Sequence, residues 1–324
     1  YAGTHYIGKT GIERQYEDWL HGTVGYEEVE TNARGRVLRV LKRTDPLPGK
    51  DLTLHLDVRL QQVAEQALGA RRGAVVAIEP ATGGVLAFVS QPAFNPNLFV
   101  TGISHADYAG LRDSLDRPLF NRILRGQYPP GSTLKQLVAL AGLEYGVVTP
   151  ESRVFDPGFY QLPNHSHRYR NWNRRGDGWV DMRYSIARSN DTYFYDLGHK
   201  LGIDRMHAFL SQFGLGQRVA LDMYEEQPGL LPSREWKRDA RGQPWYPGET
   251  LIAAIGQGYM MTTPLQLAHS AALTANRGVW TRPRLLMEAE GLLPDTSDTP
   301  PDIELDDPAY WDFIIAAMED VMHS

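Results

Sequence analysis

Residues 127–137 read QYPPGSTLKQL: a proline-glycine turn, a serine, a lysine three residues on, and then an apolar run. Pro129, Pro130 and Gly131 stop any helix that precedes them, and Ser132 stands where the N-cap of a new helix belongs. A capping serine is the ordinary reading of such a position. The spacing offers a second reading. Residues i and i+3 share a helix face, so Lys135 can reach back to the Ser132 hydroxyl. A lysine stripped of water has a lowered pKa and can take the proton of a serine nucleophile. The helix N-terminus adds a partial positive charge that suits a developing oxyanion. One S-x-x-K alone does not choose between cap and nucleophile.

Outward from that stretch, the chain alternates helical and extended patterns. Residues 44–50, TDPLPGK, carry two prolines and a glycine and mark a boundary, so residues 1–48 form one unit and 49–324 another. DLTLHLD at 51–57 alternates like a half-buried strand. The next segment has helical periodicity, with Leu60, Val63, Ala64 and Ala67 on one face and Gly69 at its end. Residues 73–90 give two β-branched runs around Pro80, Gly83 and Gly84, a hairpin. This order predicts an α+β fold with helices packed on an antiparallel sheet. Residues 151–180 show little periodicity and read as a long surface excursion of the kind that lines sites. Thr262 or Thr263 caps a helix that has Pro264 at its first position, with Gly278 near its end.

Composition narrows the function. The 324 residues are 42% apolar and 22% charged, with a net charge of −6, a soluble globular balance without the basic surplus of a nucleic-acid binder. There is no cysteine, which excludes disulfides and thiolate chemistry and fits an oxidising compartment. No apolar run is long enough to span a bilayer and no signal peptide opens the chain. The abrupt ends read as those of a piece of a longer protein.

A serine–lysine nucleophile of this class is joined by a later S-x-[ND] and then K-[ST]-G. Ser114–Asp116 precedes Ser132 and reads as a surface turn, whereas Ser189–Asp191 follows it and leads into an aromatic segment. Ser189 also reads as a helix cap. In the active-serine, penicillin-recognising enzymes that this set of motifs resembles, the third motif comes last; Lys9-Thr10-Gly11 precedes Ser132, so the resemblance implies a third motif beyond Ser324.

The wording of the chain carries a resemblance. NRILRGQYPPGSTLKQ, FDPGFYQLP, RYRNW, SNDTYFY, REWK and GQGYMMTTPLQLA resemble the class B penicillin-binding proteins along nearly the whole chain, and Pro129 favours their rod-elongation branch over the division branch. The resemblance implies a penicillin-recognising transpeptidase fold over residues 49–324 and part of an N-terminal pedestal over 1–48. It implies a peptidoglycan D,D-transpeptidase that cleaves the D-Ala–D-Ala bond of a stem peptide, cross-links a second stem, and is acylated by β-lactam antibiotics. Ser132 is then the nucleophile and, through its backbone N–H, an oxyanion donor. Lys135 is the base, Ser189 the proton relay, and Asp191 the group that holds the lysine and the substrate amide. A membrane anchor preceding Tyr1, an inner-membrane location facing the periplasm, a polytopic glycosyltransferase and elongation-complex proteins docking on the pedestal are implied in the same way. No cofactor is implied.

His165 and His167, with Asp156 and Asp177 nearby, invite a zinc reading, because some members of this subgroup hold zinc there through Asp, His and Cys. The missing cysteine argues against it, and no metal is expected. Tyr169, Trp172 and Trp179 either line the substrate groove or pin the loop, and Gly256-Gln257-Gly258 reads as a structural turn below the site. A class D-like β-lactamase and a non-catalytic penicillin sensor or scaffold are the competing functions.

Overall fold

Helix Lys135–Glu144 is apolar on every side, and eight of its ten residues are buried. A helix of that composition belongs in a core, not on a surface. In the computed structural model, which describes residues 7–100, 102–292 and 296–323, it packs against helices Asp191–Leu201, Ile203–Ser211 and Ala309–Asp320. Gly142 makes the closest approach possible: a Cβ there would meet Leu197 Cδ1 at 2.6 Å. Cutting Leu137 or Leu140, both fully buried, back to alanine would cost about 2–5 kcal/mol. This core helix begins one residue after the Gly131–Leu134 turn, so packing fixes the position of Ser132.

The fold is α+β, as expected, with its strands joined as antiparallel pairs. Gly73–Ile78 pairs with Val85–Gln91 in the hairpin read from the sequence, in register from Gly73 opposite Gln91 to Ile78 opposite Val85, with a bulge between Ala77 and Ile78. Val85, Ala87 and Val89 alternate inward and are buried. Gly83, at φ +74°, lies against the Arg282 carbonyl, an approach no side chain permits. Helix Val58–Leu68 packs on Val85–Gln91, and helix Pro264–Ala275 on Gly73–Ile78.

Several local expectations change. The strand at 51–57 shortens to Leu52–Leu54, paired with Leu286–Ala289, because Asp57 turns away to cap the next helix, accepting from the Arg59 and Leu60 N–H groups. In that helix Val63 is 61% exposed and Leu60 and Ala67 also face outward, while Ala64 is buried and Gln61 turns inward. The reason is polar: the Gln61 amide accepts from Phe88 N (2.8 Å) and donates to Phe88 O (3.1 Å), satisfying a backbone edge that a leucine could not. The 151–180 excursion is two nested ribbons, Arg153–Asp156 with Gly178–Asp181 and Phe159–Gln161 with Arg168–Arg170. Strands of three and four residues are too short to show a period against the intervening Pro, Gly and Asn.

Residues 1–6 of the first expected unit lie outside the described residues. The rest contains the hairpin Tyr26–Thr31 with Val37–Thr44. Tyr16 OH, donating to Asp222 Oδ2 (3.0 Å), and the Trp19 indole N–H, donating to Glu290 O (3.4 Å), tie this segment to the remainder. Among the described residues no helix is long and apolar enough to cross a membrane.

Candidate active site

Ser132 is not a helix cap. It lies inside a 3-10 turn, Gly131–Leu134, whose N-cap is Pro130, and its hydroxyl accepts from Ser189 Oγ at 2.7 Å. Gly131 carries φ +60° and its N–H donates to Gly256 O at 2.8 Å, so the Gly256 turn supports the residue before the serine. A Cβ on Gly256 would collide with the Gly131 backbone.

Lys135, 2% exposed, donates to Asp191 Oδ1 (2.7 Å), Ser189 O (2.8 Å) and Ser189 Oγ (3.1 Å). Its path to Ser132 therefore runs through Ser189, not directly along the shared helix face: the Asp191 carboxylate and the Ser189 carbonyl draw the ammonium aside. Burial pushes the Lys135 pKa below the ordinary lysine value, an effect that the charge and hydrogen bond of Asp191 partly offset. The Phe194 ring lies 5.4 Å from the ammonium and adds a cation–π contact.

Ser189 is not a cap either. The cap of helix Asp191–Leu201 is Asn190, whose side chain accepts from Tyr193 N. Ser189 sits one residue outside, at φ +53°, a left-handed conformation uncommon for serine. That twist turns its hydroxyl away from the helix and toward Ser132. Asp191 Oδ2 accepts from Trp172 N (3.1 Å), and the Trp172 indole donates to Arg188 O (3.0 Å). Trp172 thus pins its loop and, 55% exposed, also walls a cleft of about 520 Å³ lined by Ser132, Arg188, Ser189, Asp191 and Gln257. Tyr169 packs on Tyr195 (5.7 Å between ring centres) and Trp179 on Phe155 (5.6 Å), and neither lines this cleft.

The four residues singled out in the sequence converge here. Lys9–Gly11 opens a short N-terminal helix beside Tyr224, and Ser114 forms a turn with Asp116. His165 and His167 are exposed and stand apart from Asp156 and Asp177, whose carboxylates accept from asparagine amides. Among the described residues no group of three or more His, Cys, Asp or Glu is placed to hold a metal ion. The sequence reading missed Asn171 and Asn190, and it took Gln257 only as part of a structural turn, whereas Gln257 lines the cleft. Asn190 had a signal, since a helix whose preceding serine is needed elsewhere requires another cap, and Asn is a favoured one.

Residues 73–321 match the family model described as the penicillin binding protein transpeptidase domain, and residues 1–54 match that of the penicillin-binding protein dimerisation domain. Peptidoglycan D,D-transpeptidase MrdA of Acinetobacter baumannii is 51% identical over 302 residues, 93% of this chain and 45% of that protein. The chain therefore spans about half the length of the curated relatives it matches. The crystal structure of Pseudomonas aeruginosa PBP2 in complex with WCK 5153 superposes with a TM-score of 0.92 at 64% identity, over 100% of this chain and 67% of the other. Helicobacter pylori PBP2, solved in complex with MreC, gives a TM-score of 0.82 at 32% identity, over 98% of this chain and 57% of the other. With a family model over most of its length, relatives of this identity and the matching fold, the chain belongs to the penicillin-binding protein transpeptidases.

Proposed function

We propose that this chain carries the acylation site of a peptidoglycan D,D-transpeptidase of the rod-elongation branch, with Ser132 as nucleophile. The observation that carries the reading is the line Lys135 Nζ, Ser189 Oγ, Ser132 Oγ, with separations of 3.1 and 2.7 Å. As drawn, the charged ammonium donates to Ser189 and Ser189 to Ser132. When Lys135 is neutral, which its burial favours, the same atoms run in reverse: Ser132 donates to Ser189 and Ser189 to the amine.

Ser132 Oγ then bonds to the carbonyl carbon of the penultimate D-alanine while its proton passes through Ser189 to Lys135. The bond to the terminal D-alanine breaks, and the departing amine takes the proton back along the same path. An amine of a second stem peptide attacks the resulting ester, gives up its proton through Ser189, and Ser132 is released protonated. The Ser132 N–H lies in the first turn of its helix, where N–H groups lack intrahelical partners, and it serves as one oxyanion donor. Asp191 holds the lysine and, with Trp172, borders the stem peptide. β-Lactams present a strained amide to the same serine.

The division at residues 48–49 into pedestal and transpeptidase units, an inner-membrane location facing the periplasm, and association with a polytopic glycosyltransferase and elongation-complex proteins belong to the same proposal. The MreC complex of the H. pylori relative supports the last.

Intact mass of the full-length protein before and after benzylpenicillin tests the reading. A single stable adduct on Ser132, and cross-linked product from a stem-peptide donor and an amine acceptor, are expected. Rapid loss of the adduct means a β-lactamase, a stable adduct without peptide turnover means a sensor, and no adduct means a scaffold.

A further inference from the structure

Asp156 is the most densely bonded carboxylate near the cleft, yet it does not line it. It is 1% exposed and accepts five hydrogen bonds, all from neutral donors. Oδ1 takes the Gly158 N–H (2.7 Å) and the Thr192 hydroxyl (2.6 Å). Oδ2 takes the Asn171 amide (2.6 Å), the Asn190 amide (2.7 Å) and the Asp177 N–H (3.1 Å). A buried anion without a cationic partner is costly unless its lone pairs are filled this way.

The two asparagines give the cluster direction. A carboxamide has a donor end and an acceptor end, and an anion can take only the donor end. With both Nδ2 groups on Asp156, both Oδ1 atoms turn the other way, onto the first turn of helix Asp191–Leu201. Asn171 Oδ1 accepts from Asp191 N (3.0 Å) and Asn190 Oδ1 from Tyr193 N (2.9 Å). Thr192, between them in sequence, is held by Asp156 itself. One carboxylate thus fixes three consecutive residues of that turn, directly or through an amide. The same turn aims the Asp191 carboxylate at Lys135, and the residue before its cap is Ser189. The anion also stands at a helix N-terminus, where negative charge is favoured.

We infer that Asp156 is a positioning residue for acylation: by orienting Asn171 and Asn190 it sets Ser189 and Asp191 against Lys135 and Ser132. Burial alone would raise its carboxyl, but the Thr192 hydroxyl, the Gly158 N–H and the two amides outweigh it and hold Asp156 below the ordinary carboxylate range, ionised at neutral pH. Asp177 backs Asn190 from the outer side (2.9 Å) but reaches Asn171 only at 3.5 Å, so it cannot orient both.

The inference rests on the acyl-serine reading above and predicts a specific kinetic split. Asp156→Asn puts an NH2 group against at least two donors, and the amides of Asn171 and Asn190 lose the anion that orients them. In the full-length protein, the acylation rate constant with benzylpenicillin at saturation is expected to fall by ~10²-fold, as for a misplacement of about 1 Å at a reacting group. The dissociation constant of the pre-covalent complex should change far less, and active-site titration should still reach one penicillin per protein. Thr192→Val, which removes one donor without changing shape, should give the same split at several-fold size. Wild-type rate constants in either folded variant overturn the inference. So does a loss confined to the titratable fraction, because that means misfolding and not misplacement. If Asp156→Asn does not fold, Thr192→Val decides by the same criteria. A wild-type protein that forms no adduct overturns the proposed function and this inference with it, whereas an active wild type with unchanged variants overturns the inference alone.

Discussion

The Ser189 hydroxyl donates to Ser132 Oγ at 2.7 Å from a backbone held at φ +53°. Strained backbone of this kind persists only where the surroundings over-determine it, and here it aims the hydroxyl that links Lys135 to Ser132. Ser189→Ala is expected to slow acylation by ~10²–10³-fold, the range for losing a positioned proton-transfer group. Ser189→Gly should be as slow, yet more stable than Ser189→Ala by about 1 kcal/mol, since glycine accepts the left-handed conformation. Acylation rates with a fluorescent penicillin and paired thermal melts check both. Equal stability of the two variants would remove the strain argument, and a fast Ser189→Ala the relay.

Lys135 carries opposing influences, with burial lowering its pKa and the Asp191 carboxylate raising it. The proposed acylation needs the neutral amine, so the rate should rise with pH and its midpoint should lie below the ordinary lysine value. Asp191→Asn removes only the raising influence, and the rising limb should move to lower pH even as the plateau falls. Lys135→Arg should be inert across the accessible range, because a guanidinium does not deprotonate in proteins. A pH–rate profile of acylation from pH 5 to 10 is the measurement; an Asp191→Asn limb displaced to higher pH would contradict the assignment.

The Gly256 turn supports Ser132 from below through Gly131. Gly256 and Gly258 both have positive φ, +69° and +73°, so alanine pays a similar backbone penalty at each. They differ in what a Cβ meets: the Gly131 backbone at Gly256, against the Ile252 side chain at 3.1 Å at Gly258. Each alanine variant should lose about 1–3 kcal/mol of stability. Only Gly256→Ala should also lose most of its acylation rate, by displacing Gly131 and with it Ser132. Denaturant melts and acylation kinetics on the pair separate the two effects.

The parts of the site that are legible in the sequence are those whose chemistry is in the residue type. A serine and a lysine three residues apart before an apolar run, and a later Ser-Asn-Asp, name the atoms that converge. Their connection is not legible, because it depends on where long side chains find partners. Lys135 turns toward Asp191, and Ser189 becomes the link only because Asn190 takes over the cap. Periodicity found helix Val58–Leu68 but assigned its inner face wrongly, since a glutamine there satisfies a sheet edge that no apolar count detects. The ribbons of residues 153–181 escaped for the converse reason: cross-strand partners such as Phe155 and Trp179 identify them, and partners across 24 residues leave no local period.

His269 supplies a prediction independent of catalysis. It is fully buried, its Nε2 lies 3.0 Å from Thr281 O, and its ring packs against Trp280 at a tilt of 59°, with 4.5 Å between ring centres. Nε2–H therefore donates to that carbonyl in the neutral ring, while Nδ1 finds no partner among the described residues. Protonating Nδ1 would bury a charge and an unpaired donor together, and burial accordingly lowers the pKa to about 4 from 6.5. The unfolded chain takes up the proton below pH 6.5 and the folded one does not. Stability is thus full above pH 6.5 and falls as pH drops toward 4, by about 3 kcal/mol in total. His269→Gln keeps a donor within reach of Thr281 and removes the titration. Buried Glu226, whose carboxyl burial raises, contributes with the opposite sign but equally in both proteins, so it cancels in the difference. Urea melts of wild type and His269→Gln between pH 4 and 8 should give curves that converge as pH falls, and parallel curves would show that His269 does not carry the acid sensitivity.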